Sequence, residues 1–238
     1  MPSERKAGLI VVFGAGGRAG KAVVRESLRR GHAALCVVRD PAKYPGLEAL
    51  GDEVAVVAGD LTDAGSVASV LAQVPGEVTA LVNAVAPFTA TPDSVEGFDP
   101  DYYVGLVENL SQAARDRDCR AVEIGLFAML RTGELRLFQD EVAFPAYLRP
   151  FAVARLRGLN AWRDQDSEVD WLVLTPPPRL SPDARPTGRY RLGDDLLDRA
   201  ATPVLFSYDD LAVAVLDQID TPTVHRCQAA VYGLAPAS

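Results

Sequence analysis

A glycine-rich turn near the N-terminus has the residue types and spacing needed to hold a phosphate group. It reads Gly14-Ala15-Gly16-Gly17-Arg18-Ala19-Gly20 and follows an apolar run. Glycine has no Cβ and tolerates positive φ, so its main-chain N–H groups can approach a pyrophosphate closely. Gly14, Gly17 and Gly20 fit one spacing of dinucleotide-binding turns, whereas Gly14 and Gly16, followed by Ala19, fit a tighter one. The turn predicts a dinucleotide site, with an ordinary strand–helix turn as the alternative.

The residues after the second apolar run bear on which dinucleotide binds. Arg39 and Asp40 directly follow Ala33–Val38. An acid at this strand end usually holds the ribose hydroxyls of NAD, whereas an arginine complements the 2′-phosphate of NADP. Arg39 therefore favours NADP, and Arg18 could reach the same phosphate from the glycine turn. A solvated Arg39, with Asp40 serving a ribose, is the alternative.

Two further strand ends carry residues suited to a nucleotide. Asp60 follows the third apolar run, where its carboxylate can accept a hydrogen bond from an adenine amino group while Leu61 packs against the ring. The alternative role for Asp60 is to cap the next helix. The fourth run is followed by Asn83-Ala84-Val85, small residues where the backbone would pass the nicotinamide ribose.

Alternating apolar runs and helical segments position these residues. The runs are Leu9–Phe13, Ala33–Val38, Val54–Ala58, Ala80–Val82, Ala121–Ile124, Trp171–Leu174 and Ala229–Tyr232. Helical spacing marks Lys21–Arg30, Ser66–Leu71, Tyr102–Arg115 and a segment from Ser207 through Ile219. Nearly continuous apolar runs are typical of parallel strands covered on both faces. We therefore predict an α/β fold: a doubly wound, Rossmann-type parallel sheet in a single domain, with a cofactor half at about 7–125 and substrate-side elements at about 126–238.

Composition narrows the classes of partner. A formal net charge of −8 argues against nucleic acid, because phosphate backbones need a basic surface. No stretch approaches the ~18–20 apolar residues of a membrane helix, and the first eight residues lack a signal-peptide core. Three scattered cysteines and two histidines give little basis for a disulfide or metal site. We expect a cytoplasmic monomer or homodimer whose partner is a small-molecule substrate.

The chain resembles, over nearly its whole length, the atypical short-chain dehydrogenase/reductases with an NmrA-like, NAD(P)H-binding domain. Besides the glycine turn, the motifs that carry the resemblance are Val38-Arg39-Asp40-Pro41, Gly59-Asp60-Leu61-Thr62-Asp63, Asp170-Trp171, Thr175-Pro176-Pro177, Thr187–Gly193 and Ser207–Ala212. The C-terminal motifs look like a bacterial subgroup related to flavin/biliverdin reductase B. The resemblance implies NADP binding, reductase chemistry in many members, and a place for Thr175 and Pro176 beside the nicotinamide.

Two features depart from that pattern. The usual tyrosine followed four residues later by lysine is absent, since no lysine follows Lys43, and arginine stays charged and cannot relay a proton. Where the subgroup tends to carry a small-residue turn with a serine, this chain reads Gly125-Leu126-Phe127-Ala128-Met129-Leu130. These bulky side chains either crowd the nicotinamide, build an apolar substrate pocket or reflect local repacking.

Few residues could donate a proton to a reduced carbonyl. Tyr147 is the first candidate, although an aromatic residue at a helix start is also common for packing reasons. Glu123 and Asp140 come next. Glu123 lies in an apolar strand and is therefore either paired with an arginine or functional.

The leading functional prediction is an NADPH-dependent oxidoreductase acting on a small apolar carbonyl, enone or flavin-like substrate. The alternatives on the same fold are a redox-neutral isomerase, cyclase or dehydratase of secondary metabolism, and a non-catalytic NADP-sensing regulatory protein.

Overall fold

The computed structural model describes residues 7–88, 92–165 and 168–234, so the first six residues of the stretch inspected for a signal peptide lie outside it. The strands are β1 (Leu9–Phe13), β2 (Ala33–Val38), β3 (Val54–Ala58), β4 (Val78–Asn83), β5 (Arg120–Ile124), β6 (Trp171–Thr175), β7 (Leu180–Ser181), β8 (Tyr190–Gly193), β9 (Phe206–Ser207) and β10 (Cys227–Gly233). The helices are α1 (Arg18–Arg29), α2 (Ala64–Ala72), α3 (Tyr102–Arg117), α4 (Arg149–Asp164) and α5 (Tyr208–Asp220).

Eight strands form one sheet in the order β3-β2-β1-β4-β5-β6-β10-β8, and β7 pairs with β9 in a small separate sheet. Every neighbouring pair of the large sheet is parallel except β10 and β8. The strand order reverses between β1 and β4, and ligands of such sheets bind outside the carboxyl ends of the strands at that point. The predicted doubly wound Rossmann fold is confirmed.

The strands are apolar throughout because helices cover both faces of the sheet. In β1, Ile10 and Val12 pack with α1 and α5, whereas Val11 and Phe13 pack with α2, α3 and α4. All four side chains are essentially inaccessible to solvent. Two apolar layers therefore hold the strand ends, and the site residues on them, in fixed register.

Side-chain caps begin two of the helices. The Asp63 carboxylate accepts a hydrogen bond from the Ser66 N–H at 2.7 Å and begins α2. The Ser207 hydroxyl accepts one from the Asp210 N–H at 2.9 Å and begins α5. Each such cap contributes about 1 kcal/mol.

The segment between β5 and α4 is irregular but well packed. Short 3₁₀ turns at Phe127–Met129, Leu137–Gln139 and Ala146–Leu148 fold against α4. The small apolar core that they share comprises Ala128, Met129, Phe138, Phe144 and Ala152. None of the helices in the described ranges is long and apolar enough to cross a membrane.

Candidate cofactor site at the carboxyl edge of the sheet

The glycine turn is held tightly between the ends of β2 and β4. Gly14 has a φ of +79°, and a Cβ added there would come within 2.7 Å of the Ala84 carbonyl carbon and oxygen. The Gly14 N–H donates to the Val37 carbonyl at 3.0 Å, while the Ala84 N–H donates to Phe13 at 2.9 Å. Glycine is therefore required at position 14 by both backbone conformation and close approach.

The start of α1 presents unpaired main-chain donors. Gly17 is the N-cap, and the first helical hydrogen bond runs from the Lys21 N–H to the Gly17 carbonyl at 2.9 Å. Within the described ranges, the N–H groups of Arg18, Ala19 and Gly20 have no main-chain acceptor. The first turn of α1 carries no acidic residue. Free amides at the positive end of a helix dipole make this a suitable site for a phosphate.

The structure distinguishes the roles of the other glycines. A Cβ at Gly20 would collide with the Gly14 carbonyl, so Gly20 permits the close contact between α1 and β1. A Cβ at Gly16 would instead meet the ring of Tyr44, a residue that sequence reasoning did not single out. At Gly17 the nearest atom, the Gly14 oxygen, lies at 3.4 Å, so the N-cap is the least crowded position.

The end of β2 carries an exposed arginine next to an acid that is held by its own loop. Arg39 is exposed, as is Arg18, and neither has an ion-pair partner in the part of the chain that the structure describes. Asp40 instead accepts a hydrogen bond from the Ala42 N–H at 3.2 Å and lies 3.5 Å from the Lys43 ammonium. The carboxylate thus stabilises its own loop, whereas both guanidinium groups are open to a ligand.

The end of β3 places the two predicted adenine contacts differently. One Asp60 oxygen accepts hydrogen bonds from the Thr62 N–H at 2.9 Å and the Thr62 hydroxyl at 2.8 Å. Asp60 is partly exposed but does not cap α2, since Asp63 does so. The Leu61 side chain is 2% exposed and packs in the apolar core that covers one face of the sheet, and its contact with adenine stays a prediction.

The end of β4 leaves a buried amide without a partner. Asn83 is 1% exposed, and its Oδ1 accepts a hydrogen bond from the Val85 N–H at 3.0 Å. Its Nδ2 has no hydrogen-bond partner among the described residues. A buried donor left unpaired costs about 1–3 kcal/mol. The Asn83 amide, next to the glycine turn, is therefore a candidate donor to a bound ligand.

Thr175 and Pro176, at the end of β6, are both buried. The Gln228 side-chain amide donates to the Thr175 hydroxyl at 3.1 Å, and the Arg136 guanidinium donates to the Gln228 oxygen at 3.2 Å. A Cβ at Gly125 would meet the Thr175 hydroxyl at 2.5 Å, so Gly125 makes room for it. The side chains of Arg136, Gln228 and Thr175 thus form a continuous hydrogen-bonded chain between the segment that follows β5 and the end of β6.

Glu123, at the end of β5, lies in a buried ion pair, which confirms the salt-bridged interpretation. The Arg155 guanidinium donates to one Glu123 oxygen at 3.1 Å, and the Trp162 indole N–H donates to the other at 2.9 Å. The Arg155 guanidinium also lies 3.9 Å from the centre of the Tyr103 ring. Burial raises the pKa of Tyr103. With both oxygens of Glu123 engaged, this carboxylate is poorly placed to donate a proton.

The remaining candidate proton donors differ in how far they are engaged. Asp140 accepts hydrogen bonds from the N–H groups of Val142 at 2.9 Å and Ala143 at 3.1 Å. These bonds lower the pKa of Asp140, so this group is ionised near neutrality and has no proton to give. Tyr147 is 48% exposed, and its hydroxyl has no hydrogen-bond partner within the described residues. Only Tyr147 therefore presents an unengaged polar group.

The bulky residues after Gly125 divide into two kinds. Met129 is 3% exposed and packs in the small core of the segment, as local repacking would predict. Leu126 and Phe127 pack against the same core but remain partly exposed. These two side chains can still contribute an apolar wall to a pocket.

Two cavities lie away from this edge of the sheet. A cavity of about 310 Å³ lies at the opposite, amino end of the sheet, between Leu9, Ala33 and Val54. Another of about 300 Å³ lies between α1 and α5, beside Arg25 and Asp209. No group of three or more potential ligands within the described residues is arranged to hold a metal ion. Donors that lack a partner among the described residues are therefore what mark the carboxyl edge as the candidate site.

A family model described as NAD(P)H-binding matches residues 14–222, from the glycine turn to just beyond α5. The chain belongs to the NAD(P)H-binding family. Membership confirms the expected kinship with the atypical, NmrA-like short-chain dehydrogenase/reductases. It also supports a nicotinamide cofactor, without a choice between NAD and NADP.

Known proteins resemble this chain over most of its length. The chain is 28% identical to Bacillus subtilis (strain 168) YwnB over 216 residues, 90% of this chain and 92% of that one. A proposed epimerase from Bacteroides thetaiotaomicron has a TM-score of 0.78 at 25% identity, over 98% of this chain and 100% of that one. A proposed NADH-flavin reductase from Streptococcus pneumoniae TIGR4 has a TM-score of 0.74 at 22% identity, over 96% and 100%, and shows the fold alone.

Proposed function

We propose that the protein is an NADPH-dependent reductase of a small, largely apolar carbonyl, enone or flavin-like substrate. In this proposal residues of about 7–125 hold the cofactor, and elements of about 126–238 form the substrate side. The cofactor contacts are the glycine turn, Arg39, Asp60, Asn83-Ala84-Val85, Thr175 and Pro176.

The observation that carries the proposal is the set of unpaired donors at the carboxyl ends of β1 and β2. The amides at the start of α1 suit a pyrophosphate, which needs main-chain donors and a positive helix end. Arg39, at the end of β2, is exposed and has no ion-pair partner among the described residues, while the neighbouring Asp40 is engaged in its own loop. An acid free to hold ribose hydroxyls would favour NAD, so this arrangement supports NADP.

Apolar side chains support the proposed substrate class. The segment after β4 and the first turns of α3 and α4 bring together an aromatic cluster that comprises Phe88, Phe98, Tyr102 and Phe151. Its ring centres lie 5.4–5.6 Å apart, and all four rings are partly exposed. Together with Leu126 and Phe127, they would present apolar and aromatic surface to a substrate.

Tyr147 is the proposed proton donor. It precedes α4 on the substrate side, and its phenol is unengaged in the described structure, whereas Glu123 and Asp140 are held by other groups. Hydride would come from the reduced nicotinamide, and Tyr147 would deliver the proton to the substrate oxygen.

NADPH consumption tests the proposal directly. Purified protein with NADPH and a panel of quinones, flavins and enones is expected to lose absorbance at 340 nm with at least one of them. Boiled protein and NADH serve as controls. Failure with every acceptor, despite measured NADPH binding, would contradict the reductase assignment while leaving the cofactor site intact.

A redox-neutral isomerase or dehydratase is the second candidate. The similarity to a proposed epimerase at 25% identity over 98% of the chain favours it. Such an enzyme would convert a substrate with no net change in NADPH absorbance. Product analysis by mass spectrometry, run beside the absorbance assay, separates the two activities.

A further inference from the structure

The loop after β2 delivers a tyrosine to the glycine turn. Asp40 starts this loop by capping the 3₁₀ turn Pro41–Lys43, and Tyr44 follows at once. The Leu47 N–H donates to the Tyr44 carbonyl at 3.0 Å, and the Leu47 side chain is fully buried. Tyr44 is therefore anchored on both sides in sequence, and its partly buried ring packs against the core.

The hydroxyl end of the Tyr44 ring lies against the turn. A Cβ built at Gly16 would come within 2.5 Å of the Tyr44 Cε1 and Cζ atoms, and Cζ is the carbon that bears the hydroxyl. The Lys21 ammonium lies 5.7 Å from the ring centre, at the edge of cation–π range. Position 16 therefore has no room for a side chain, because the Tyr44 ring occupies that space.

We propose that Tyr44 binds the 2′-phosphate of NADP, its phenolic O–H donating a hydrogen bond to a phosphate oxygen. The proposal rests on the proposed function and adds a specificity-determining residue to it. Tyr44 comes from the loop after β2, which in this fold serves the adenosine end of the dinucleotide. The amides of α1 serve the pyrophosphate instead. Arg18 and Arg39, both exposed, supply the charge, and Tyr44 supplies a directed neutral donor.

Removal of the hydroxyl gives the first test. Tyr44→Phe is expected to weaken NADPH binding roughly tenfold, because a hydrogen bond to a charged group is lost, and to change the Kd of NADH less than about twofold. Tyr208→Phe, which removes a hydroxyl from another partly exposed tyrosine, is the matched control and is expected to change neither Kd. Calorimetric titration gives the affinities, and thermal unfolding confirms that each variant is folded.

A double-mutant cycle gives the second test. Gly16→Ala is expected to displace the ring and to weaken NADPH binding about as much as Tyr44→Phe. In a Tyr44→Ala background the same Gly16→Ala change is expected to cost less than about twofold, since the ring is gone. Full additivity of the two losses would mean that the dinucleotide itself, and not Tyr44, requires glycine at position 16.

Each other outcome also decides. Equal losses of NADPH and NADH affinity in Tyr44→Phe would contradict the 2′-phosphate assignment. Tighter NADPH binding by Tyr44→Ala would show that the ring covers the site instead of binding there. Unchanged NADPH affinity in Tyr44→Phe would overturn the inference and leave the proposed function standing. No binding of either coenzyme by the wild-type protein would overturn both.

Discussion

The two halves of the carboxyl edge differ in whether their charged groups are exposed or buried in ion pairs. Around the glycine turn and the end of β2, Arg18 and Arg39 are exposed and have no counter-ion in the described ranges. Around the end of β5, Glu123 and Arg155 are buried and paired with each other. An unpaired donor at a surface is available to a ligand, whereas a buried charge must be matched within the protein.

This difference separates polar groups that residue type alone does not distinguish. Glu123 is an acid at a strand end near the expected nicotinamide position, yet both of its oxygens are engaged by Arg155 and Trp162. The N–H groups of Arg18, Ala19 and Gly20 do not stand out by residue type, yet they have no main-chain acceptor among the described residues. We therefore propose a structural role for the first group and cofactor binding for the second.

The largest expected effect concerns Tyr147, the substrate-side residue whose polar group is unengaged. Tyr147→Phe is expected to lower kcat by roughly 100-fold or more, the usual contribution of a general acid, without a change in NADPH affinity. Steady-state kinetics on an accepted substrate measure it. An unchanged kcat would remove Tyr147 from the proposed mechanism and leave the proton to come from water.

Breaking the buried pair tests the structural half of the comparison. Arg155→Met is expected to destabilise the protein by about 3–5 kcal/mol, because it leaves the Glu123 carboxylate buried without its partner. Adding Glu123→Leu is expected to restore much of that loss, since an apolar pair replaces an ionic one. Denaturant unfolding measures both variants. A single variant as stable as the wild type would show that the pair is not a structural requirement.

Removing a free arginine tests the other half. Arg39→Ala is expected to weaken NADPH binding by about 1.5–3 kcal/mol, roughly ten- to a hundredfold, with little effect on NADH and none on folding. Arg185→Ala, at an exposed arginine between β7 and β8, is the matched control. Equal losses for the two coenzymes would remove the assignment of Arg39 to the 2′-phosphate.

The smallest expected effect is on how strongly acid lowers the stability of the folded protein. Hydrogen bonds from Arg131 lower the pKa of Asp195, and the Ala200 N–H lowers that of Asp198. A carboxyl with a lowered pKa in the folded state contributes stability above its unfolded pKa, about 4, and loses it as the pH falls further. The midpoint temperature of thermal unfolding should therefore decrease as the pH is lowered below about 4. Asp195→Asn should flatten that fall, whereas Arg39→Ala should leave it unchanged, and the same slope in all three proteins would contradict this.

Local patterns predicted the elements of the fold and the position of the cofactor turn. The runs of β1 and β2 and the turn between Gly14 and Gly20 depend on nearest neighbours in sequence, so they could be predicted directly. The short strands β7, β8 and β9 were missed because none of them carries an apolar run, and their pairing depends on residues distant in sequence.

Contacts between distant residues could not be read in the same way. Glu123 predicted an arginine partner, but Arg155 follows it 32 residues later and is one of many arginines. The inward turn of Leu61 and the ring of Tyr44 on Gly16 depend on how loops return to the sheet. The local sequence does not determine the paths of these loops, because they depend on packing against residues distant in sequence.

Calorimetric titration of the wild-type protein with NADPH and with NADH tests the central claim most directly. We predict one site per chain and binding of NADPH at least tenfold tighter than NADH, because unpaired amides meet the pyrophosphate and free arginines meet the 2′-phosphate. No heat with either coenzyme at millimolar concentration, or tighter binding of NADH, would contradict it.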